Sequence, residues 1–252
     1  MFGWLGRLGA RPEPLAAPEW RAVRAAVPWI DALDEARSQR LAGLTARFLH
    51  EKTVTPVHGL ALDAAQRAQL AAMCCLPLLE FGEEGLHGWS QLIVYPEAFR
   101  VRRHHVDVAG VVHEGDDTLI GESWDAGPLV LSWGDVQSDC ETPREGFCVA
   151  VHEMAHKLDA LDGEMDGTPP LPRPWQREWA RDFQAAFDAF NEKLDASGED
   201  DAADIDPYAA ESPEEFFAVT SEYHFSDPAR LARTMPAVAT HLTRLYGPSP
   251  FA

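Results

Sequence analysis

The segment His152-Glu153-Met154-Ala155-His156 constrains the fold of this 252-residue chain more than any other part of the sequence. Residues four apart lie one turn apart on the same face of an α-helix, so both imidazoles can reach one metal ion if the segment is helical. Glu153 then projects beside the pair, where it can reach a metal-bound water rather than the metal. This HExxH spacing is typical of zinc hydrolases and predicts a helix with a metal site on one face.

The residues around the motif also favour a helix. Residues 146–161, GFCVAVHEMAHKLDAL, place Val151, Ala155 and Leu158 on a face that can pack against a core, and the helix should end before Gly163. For the motif alone, the alternative is two surface histidines with an unrelated glutamate between them.

Hydrophobic periodicity divides the chain into three parts. Residues 1–89 predict helices, residues 90–142 predict a small mixed sheet with neighbouring strands at least partly antiparallel, and residues 143–252 predict helices again. The predicted N-terminal helices are 17–33, 34–52 and one that starts after an N-cap at Asp63. The predicted strands lie in the runs SQLIVYP, VDVAGVVHE, TLIGESW and GPLVLSW. We therefore expect an α+β fold in a single domain, residues 1–252.

Two histidines do not complete a catalytic zinc site, which takes a third protein ligand and keeps one position open for water. Asp159 and Asp162 lie too close to the motif in sequence, so the third ligand should come from another helix. Glu214, Glu215 and Glu222, in a later helical segment, all qualify on this argument.

The start of that later helix offers Glu215 a second explanation. Ser212 suits an N-cap, Pro213 the first helical position and Glu215 the reciprocal acid of a capping box. Capping alone could therefore account for Glu215, and the residue types leave the third ligand open.

Charge and cysteine usage restrict the partners and the compartment. The chain has 21 Lys and Arg against 41 Asp and Glu, a net charge of −20, which argues against direct binding of nucleic acid or anionic membranes. No apolar run reaches the roughly 18 residues of a membrane span, and Arg7 interrupts the apolar start that a signal peptide would need. Four cysteines without a CxxC pair suggest reduced thiols. We expect a cytoplasmic protein.

Two blocks of the sequence resemble the Mlc titration factor A (MtfA) family of bacterial zinc metallopeptidases. They are HEMAHKLD, residues 152–159, and DPYAAESPEEFFAVTSEYHF, residues 206–225; GPLVLSW also fits. The likeness spans most of the chain, and the family's catalytic domain is similar to that of anthrax lethal factor, a gluzincin-like fold. In the family a tyrosine precedes the glutamate ligand by seven residues, as Tyr208 precedes Glu215 here. The resemblance implies zinc ligands His152, His156 and Glu215, general base Glu153, and a transition-state role for Tyr208.

The function that this resemblance implies is zinc-dependent, aminopeptidase-like hydrolysis of peptides, with Glu153 as general base toward a zinc-activated water. Family members are also associated with binding the glucose repressor Mlc and so with sugar uptake. The acidic surface of this chain would suit such a basic DNA-binding partner. The alternative is a non-catalytic binding protein that sequesters a repressor, which the intact ligand set argues against.

Two acids and one strand are further candidates near the site. Asp159 lies three residues after His156, and Glu222 lies seven residues after Glu215. Either could accept a hydrogen bond from a ligand side chain and so orient it. Either could equally be a surface acid that stabilises its helix. The strand at 129–133 could hold a peptide backbone by β-addition.

Overall fold

The structure is a computed structural model that describes residues 12–97, 127–197 and 204–252. These residues form eleven α-helices and one three-stranded sheet, which confirms the predicted α+β class. The helices are α1 (Ala17–Ala26), α2 (Pro28–Asp31), α3 (Glu35–Glu51), α4 (Ala64–Cys75), α5 (Leu78–Phe81), α6 (Trp133–Glu141), α7 (Val149–Asp159), α8 (Arg173–Ser197), α9 (Pro213–Ser226), α10 (Pro228–Thr234) and α11 (Pro236–Tyr246). The strands are β1 (Thr53–Pro56), β2 (Gln91–Tyr95) and β3 (Leu129–Ser132).

The described strands run parallel in the order β1-β2-β3. The expectation of partly antiparallel neighbours is wrong for these strands. Parallel neighbours need a long crossover connection, and α4 and α5 provide one between β1 and β2. Two of the predicted strand runs, VDVAGVVHE and TLIGESW, lie outside the described residues.

Two elements differ from the three-part division of the sequence. Strand β1 lies inside the part predicted to be helical, and its four residues are too few to show a period of two. Helix α6 lies inside the part predicted to be sheet. Ser132 ends β3 and accepts the Asp135 N–H at 3.1 Å through its hydroxyl, so the helix starts at Trp133.

Helix α7 carries the HExxH motif, as predicted. It continues into a 3₁₀ turn at Ala160–Asp162, and the chain leaves it at Gly163 with φ at 94°. This left-handed conformation suits glycine, as expected for a helix end. Helix α7 packs between β3, α4 and α9. Its apolar side chains are buried, which fixes the face that the histidines occupy. Those at zero exposure include Val151, Met154, Ala155 and Leu158.

The C-terminal part packs α8 and the shorter helices around a buried α9. Trp179 of α8 stacks on Phe183 with ring centroids 3.9 Å apart and meets Phe217 of α9 edge to face. Every residue from Phe216 to Ser226 is buried. Helices α9, α10 and α11 each begin with proline at the first position, where its missing N–H is harmless. In the described ranges, no helix combines the length and apolar character that crossing a membrane requires.

The predicted N-cap at Asp63 is present as a complete capping box. Asp63 accepts the Gln66 N–H at 2.8 Å, and Gln66 accepts the Asp63 N–H at 2.9 Å. We expect Asp63→Ala to lower the free energy of unfolding by about 1 kcal/mol, measured by denaturant titration. Asp63→Asn, which retains a capping oxygen, should stay close to the wild type. Equal losses in both variants would show that the charge, rather than the cap, stabilises α4.

Candidate metal centre

The two motif histidines and one glutamate bring their side-chain ends together. His152 and His156 project from α7, and Glu215 from the first turn of α9. The Nε2 atoms of the two histidines are 3.2 Å apart, and Glu215 Oε2 lies 3.1 Å from His152 Nε2 and 3.6 Å from His156 Nε2. These ligand atoms all lie within 4.8 Å of one another. Among the described residues, this is the group of His, Cys, Asp and Glu that could hold a metal ion.

The spacing of these three atoms fits a zinc ion. In tetrahedral coordination with bonds of about 2.0–2.1 Å, two ligand atoms are separated by about 3.3 Å. The three observed separations, 3.1, 3.2 and 3.6 Å, bracket this value. Two imidazoles and one carboxylate also form a ligand set that catalytic zinc sites use, with a fourth position left for solvent or substrate. The residues present therefore fit a zinc ion.

Glu215 is the third helical residue of α9, as the sequence predicts, but its carboxylate does not act as the reciprocal acid of a capping box. Its backbone N–H donates to Ser212 Oγ at 3.3 Å, so Ser212 is the N-cap. Its carboxylate, however, faces the histidines rather than turning back to the cap. Of the three acids left open by the sequence, Glu215 is the one in the converging group. Glu222 lies on the other side of His152, and Glu214 is not part of the group.

The two carboxylates beside His152, those of Glu215 and Glu222, favour a positive charge at the imidazole ring. Glu222 Oε1 lies 2.8 Å from His152 Nδ1, and both side chains are 2% exposed. Burial disfavours the imidazolium, but Glu222 and Glu215 outweigh burial and raise the pKa of His152. Burial also opposes ionisation of Glu215, yet hydrogen bonds from His152 and His156 hold its pKa well below the usual range. An electrostatic field that stabilises a proton here also favours a bound cation.

Tyr208 is positioned by a short 3₁₀ helix, Pro207–Ala210. Asp206 caps this helix and accepts the Tyr208 N–H at 3.0 Å through Oδ1. The Tyr208 hydroxyl donates to Glu215 Oε1 at 3.1 Å, so the phenol lies at the edge of the candidate metal site. Asp206 was not among the residues predicted from the sequence, although Asp followed by Pro is the same cap signal that identified Ser212.

Glu153 lies on α7 between the two histidines in sequence and is partly buried. Its charge is close to α4: burial first, and then Glu153, raise the pKa of the Cys74 thiol. The role of Glu153 as a base stays a prediction.

Asp159 is placed differently from its predicted role. It is fully buried, and its Oδ2 accepts the Gly167 N–H at 2.8 Å; the described contacts include no hydrogen bond to His156. Gly167, with φ at 79°, leaves no room for a Cβ, which would lie 2.5 Å from the Pro213 carbonyl oxygen. Trp179 Nε1 donates to the Gly167 carbonyl at 2.9 Å. Asp159 thus connects the end of α7 to the loop against which α9 begins.

Strand β3 lies against α7, as a substrate-binding strand would require. It ends at Ser132, one residue earlier than the predicted segment, because Trp133 begins α6. Its role in holding a peptide stays a prediction.

Comparison with known proteins points to one family of metallopeptidases. Residues 4–247 match the family model described as glucose-regulated metallo-peptidase M90. The protein named Mlc titration factor A from Serratia proteamaculans (strain 568) is 37% identical over 243 residues, which cover 96% of this chain and 91% of that protein. The protein of the same name from Yersinia enterocolitica (serotype O:8 / biotype 1B) is 35% identical over 253 residues, covering 100% of this chain and 93% of the relative.

Proposed function

Since the chain belongs to the family of glucose-regulated metallo-peptidases M90, confirming the resemblance found in its sequence, we propose that it is a zinc-dependent, aminopeptidase-like enzyme acting on short peptides. The observation that carries this proposal is the convergence of His152 Nε2, His156 Nε2 and Glu215 Oε2. These three residues would hold one zinc ion per chain. Family membership covers the metallopeptidase class, while zinc and the aminopeptidase preference are our inference.

The bound metal would polarise the scissile carbonyl and lower the pKa of a water molecule to about 7. The chain's own residues would carry out the proton transfers. Glu153 is adjacent to the first ligand histidine and would accept a proton from the attacking water at its carboxylate. It would then return that proton to the leaving amine.

Tyr208 would stabilise the charge that develops on the carbonyl oxygen. Its hydroxyl now donates to Glu215 Oε1 at 3.1 Å. To act on a substrate, the phenol would exchange this hydrogen bond for one to the oxyanion. Strand β3, beside α7, would hold the extended peptide by main-chain hydrogen bonds.

The second part of the proposal concerns a regulatory partner. The relatives carry the name Mlc titration factor A, and this chain has a net charge of −20. A DNA-binding repressor of the Mlc type presents basic surface, so the two proteins would be electrostatically complementary. A cytoplasmic location accords with four free cysteines, of which Cys74, Cys75 and Cys148 are buried.

Metal analysis combined with turnover of a chromogenic amino-acid amide tests the enzymatic proposal. We expect one zinc per chain in the purified protein, complete loss of turnover after chelation, and recovery on adding back zinc. The metal-free protein should remain folded because the core around α7 is apolar. Full turnover in the metal-free protein would mean that the observed hydrolysis does not depend on zinc. It would then come from a contaminant, and the alternative, a non-catalytic binding protein, would be supported.

A further inference from the structure

We propose that Glu222 is a positioning residue that holds His152 with its Nδ1 protonated, so that its Nε2 is directed to the metal. The inference rests on the proposed function, because it concerns the same ligand. Glu222 does not belong to the converging group of ligand atoms. It acts, on this proposal, through the ring of His152.

The ring of His152 lies between two carboxylates of one helix. Glu215 and Glu222 are seven residues apart on α9, or about 10.5 Å along the helix axis. Glu215 Oε2 lies 3.1 Å from Nε2 and Glu222 Oε1 lies 2.8 Å from Nδ1. Each ring nitrogen therefore faces its own carboxylate. Because both ring nitrogens are held from the same helix, the position of His152 along the axis of α9 is fixed.

The second oxygen of Glu222 is also engaged. Oε2 accepts the backbone N–H of Cys148 at 2.6 Å. Cys148 is the N-cap residue of α7, where the backbone N–H has no acceptor within the helix and needs a partner from elsewhere in the fold. One buried carboxylate thus contacts both the N-cap amide of α7 and the first histidine of the motif. Glu222 therefore fixes the imidazole ring of His152 relative to the backbone at the start of α7.

A carboxylate is the group that this arrangement requires. An ionised Glu222 has acceptors on both oxygens, so it accepts from Cys148 N–H and from His152 Nδ1–H at once. Neutral imidazole carries its proton on one nitrogen, and a proton held on Nδ1 leaves the lone pair on Nε2 for a metal. Because both side chains are 2% exposed, water is poorly placed to substitute for either contact.

Glutamine has the same shape but cannot satisfy both contacts. Its amide has one acceptor oxygen and one NH₂ donor. If the oxygen faces Cys148, the NH₂ faces Nδ1 of His152 and favours the tautomer whose Nε2 carries the proton. If the oxygen faces His152, the NH₂ meets the Cys148 N–H, and two donors oppose each other. Either orientation weakens the presentation of Nε2 to a metal.

The experiment compares zinc affinity of the full-length wild type, Glu222→Gln and Glu214→Gln, using a competing chromophoric chelator. Replacing a partner of a metal-binding histidine weakens metal affinity by roughly 10–100-fold, and we expect a loss of this size in Glu222→Gln. Glu214→Gln makes the same chemical change on the same helix and should bind zinc as the wild type does. Histidine ¹⁵N spectra of the zinc-loaded proteins should show protonated Nδ1 for His152 in the wild type and altered exchange of that proton in Glu222→Gln.

Melting of the metal-free proteins separates this role from a structural one. Wild-type zinc affinity in Glu222→Gln, together with a lower melting temperature, would overturn the proposal and assign Glu222 to the fold alone. If Glu222→Gln does not fold, Glu222→Asp, which retains two acceptor oxygens on a shorter arm, should fold and bind zinc more weakly than the wild type. Unchanged affinity in that variant would also overturn the proposal. A wild type that binds no zinc would instead refute the proposed function.

Discussion

Glu215→Gln should lose tight zinc binding and peptidase activity together, whereas Glu214→Gln should retain both. The Glu215 carboxylate faces both motif histidines, at 3.1 and 3.6 Å, and a neutral amide there would leave two imidazoles as strong ligands. The helix should survive, because Ser212 caps the backbone N–H of residue 215 and not its side chain. Zinc stoichiometry and amidase rate, measured on both variants side by side, provide the test.

The control variants make the result decisive. His156→Ala removes an imidazole ligand and should likewise abolish tight zinc binding. If Glu215→Gln keeps zinc and activity while Glu214→Gln loses them, the third ligand is Glu214. If both keep zinc, neither acid is the third ligand, and the correspondence of Glu215 to the family's ligand fails.

Glu153→Gln should retain zinc and lose most of its turnover. Glu153 lies outside the group of converging ligand atoms, so its charge is not needed to hold the metal. A general base contributes roughly 10²–10⁴-fold to the rate, and glutamine cannot accept and return the proton. We expect a fall of at least this size in kcat, measured on the zinc-loaded protein with the same amide substrate.

Zinc content distinguishes the two roles open to Glu153. Parallel loss of zinc and activity would mean that Glu153 is a ligand or a structural group rather than a base. Activity close to that of the wild type would mean that another group accepts the proton. Helical content by circular dichroism provides the folding control, since α7 is central to the core.

The helices around the site were predictable because their signals are local. A helix cap or a helix end depends on residues within one turn, so the neighbouring sequence is enough to predict it. Examples are the caps at Asp63 and Ser212 and the helix end at Gly163. The parallel pairing of β1 with β2 was not predictable in this way. It depends on contacts between residues such as Val54 and Leu92, which are far apart in sequence. Short strands also leave too few residues for a period to appear.

The sequence by itself determined which residues could bind a metal. They are the histidines of an HExxH helix with one apolar face, and three acids of a later helix that could complete the site. It could not choose among Glu214, Glu215 and Glu222 by residue type, because capping explained Glu215 equally well, and the choice came only from a family resemblance. The tertiary structure places α9 so that Glu215 faces Nε2 of His152 and Glu222 faces Nδ1. It also directs Asp159 Oδ2 to the Gly167 N–H. These outcomes depend on the height and rotation of one helix against another, which packing of the buried faces fixes and no local signal encodes.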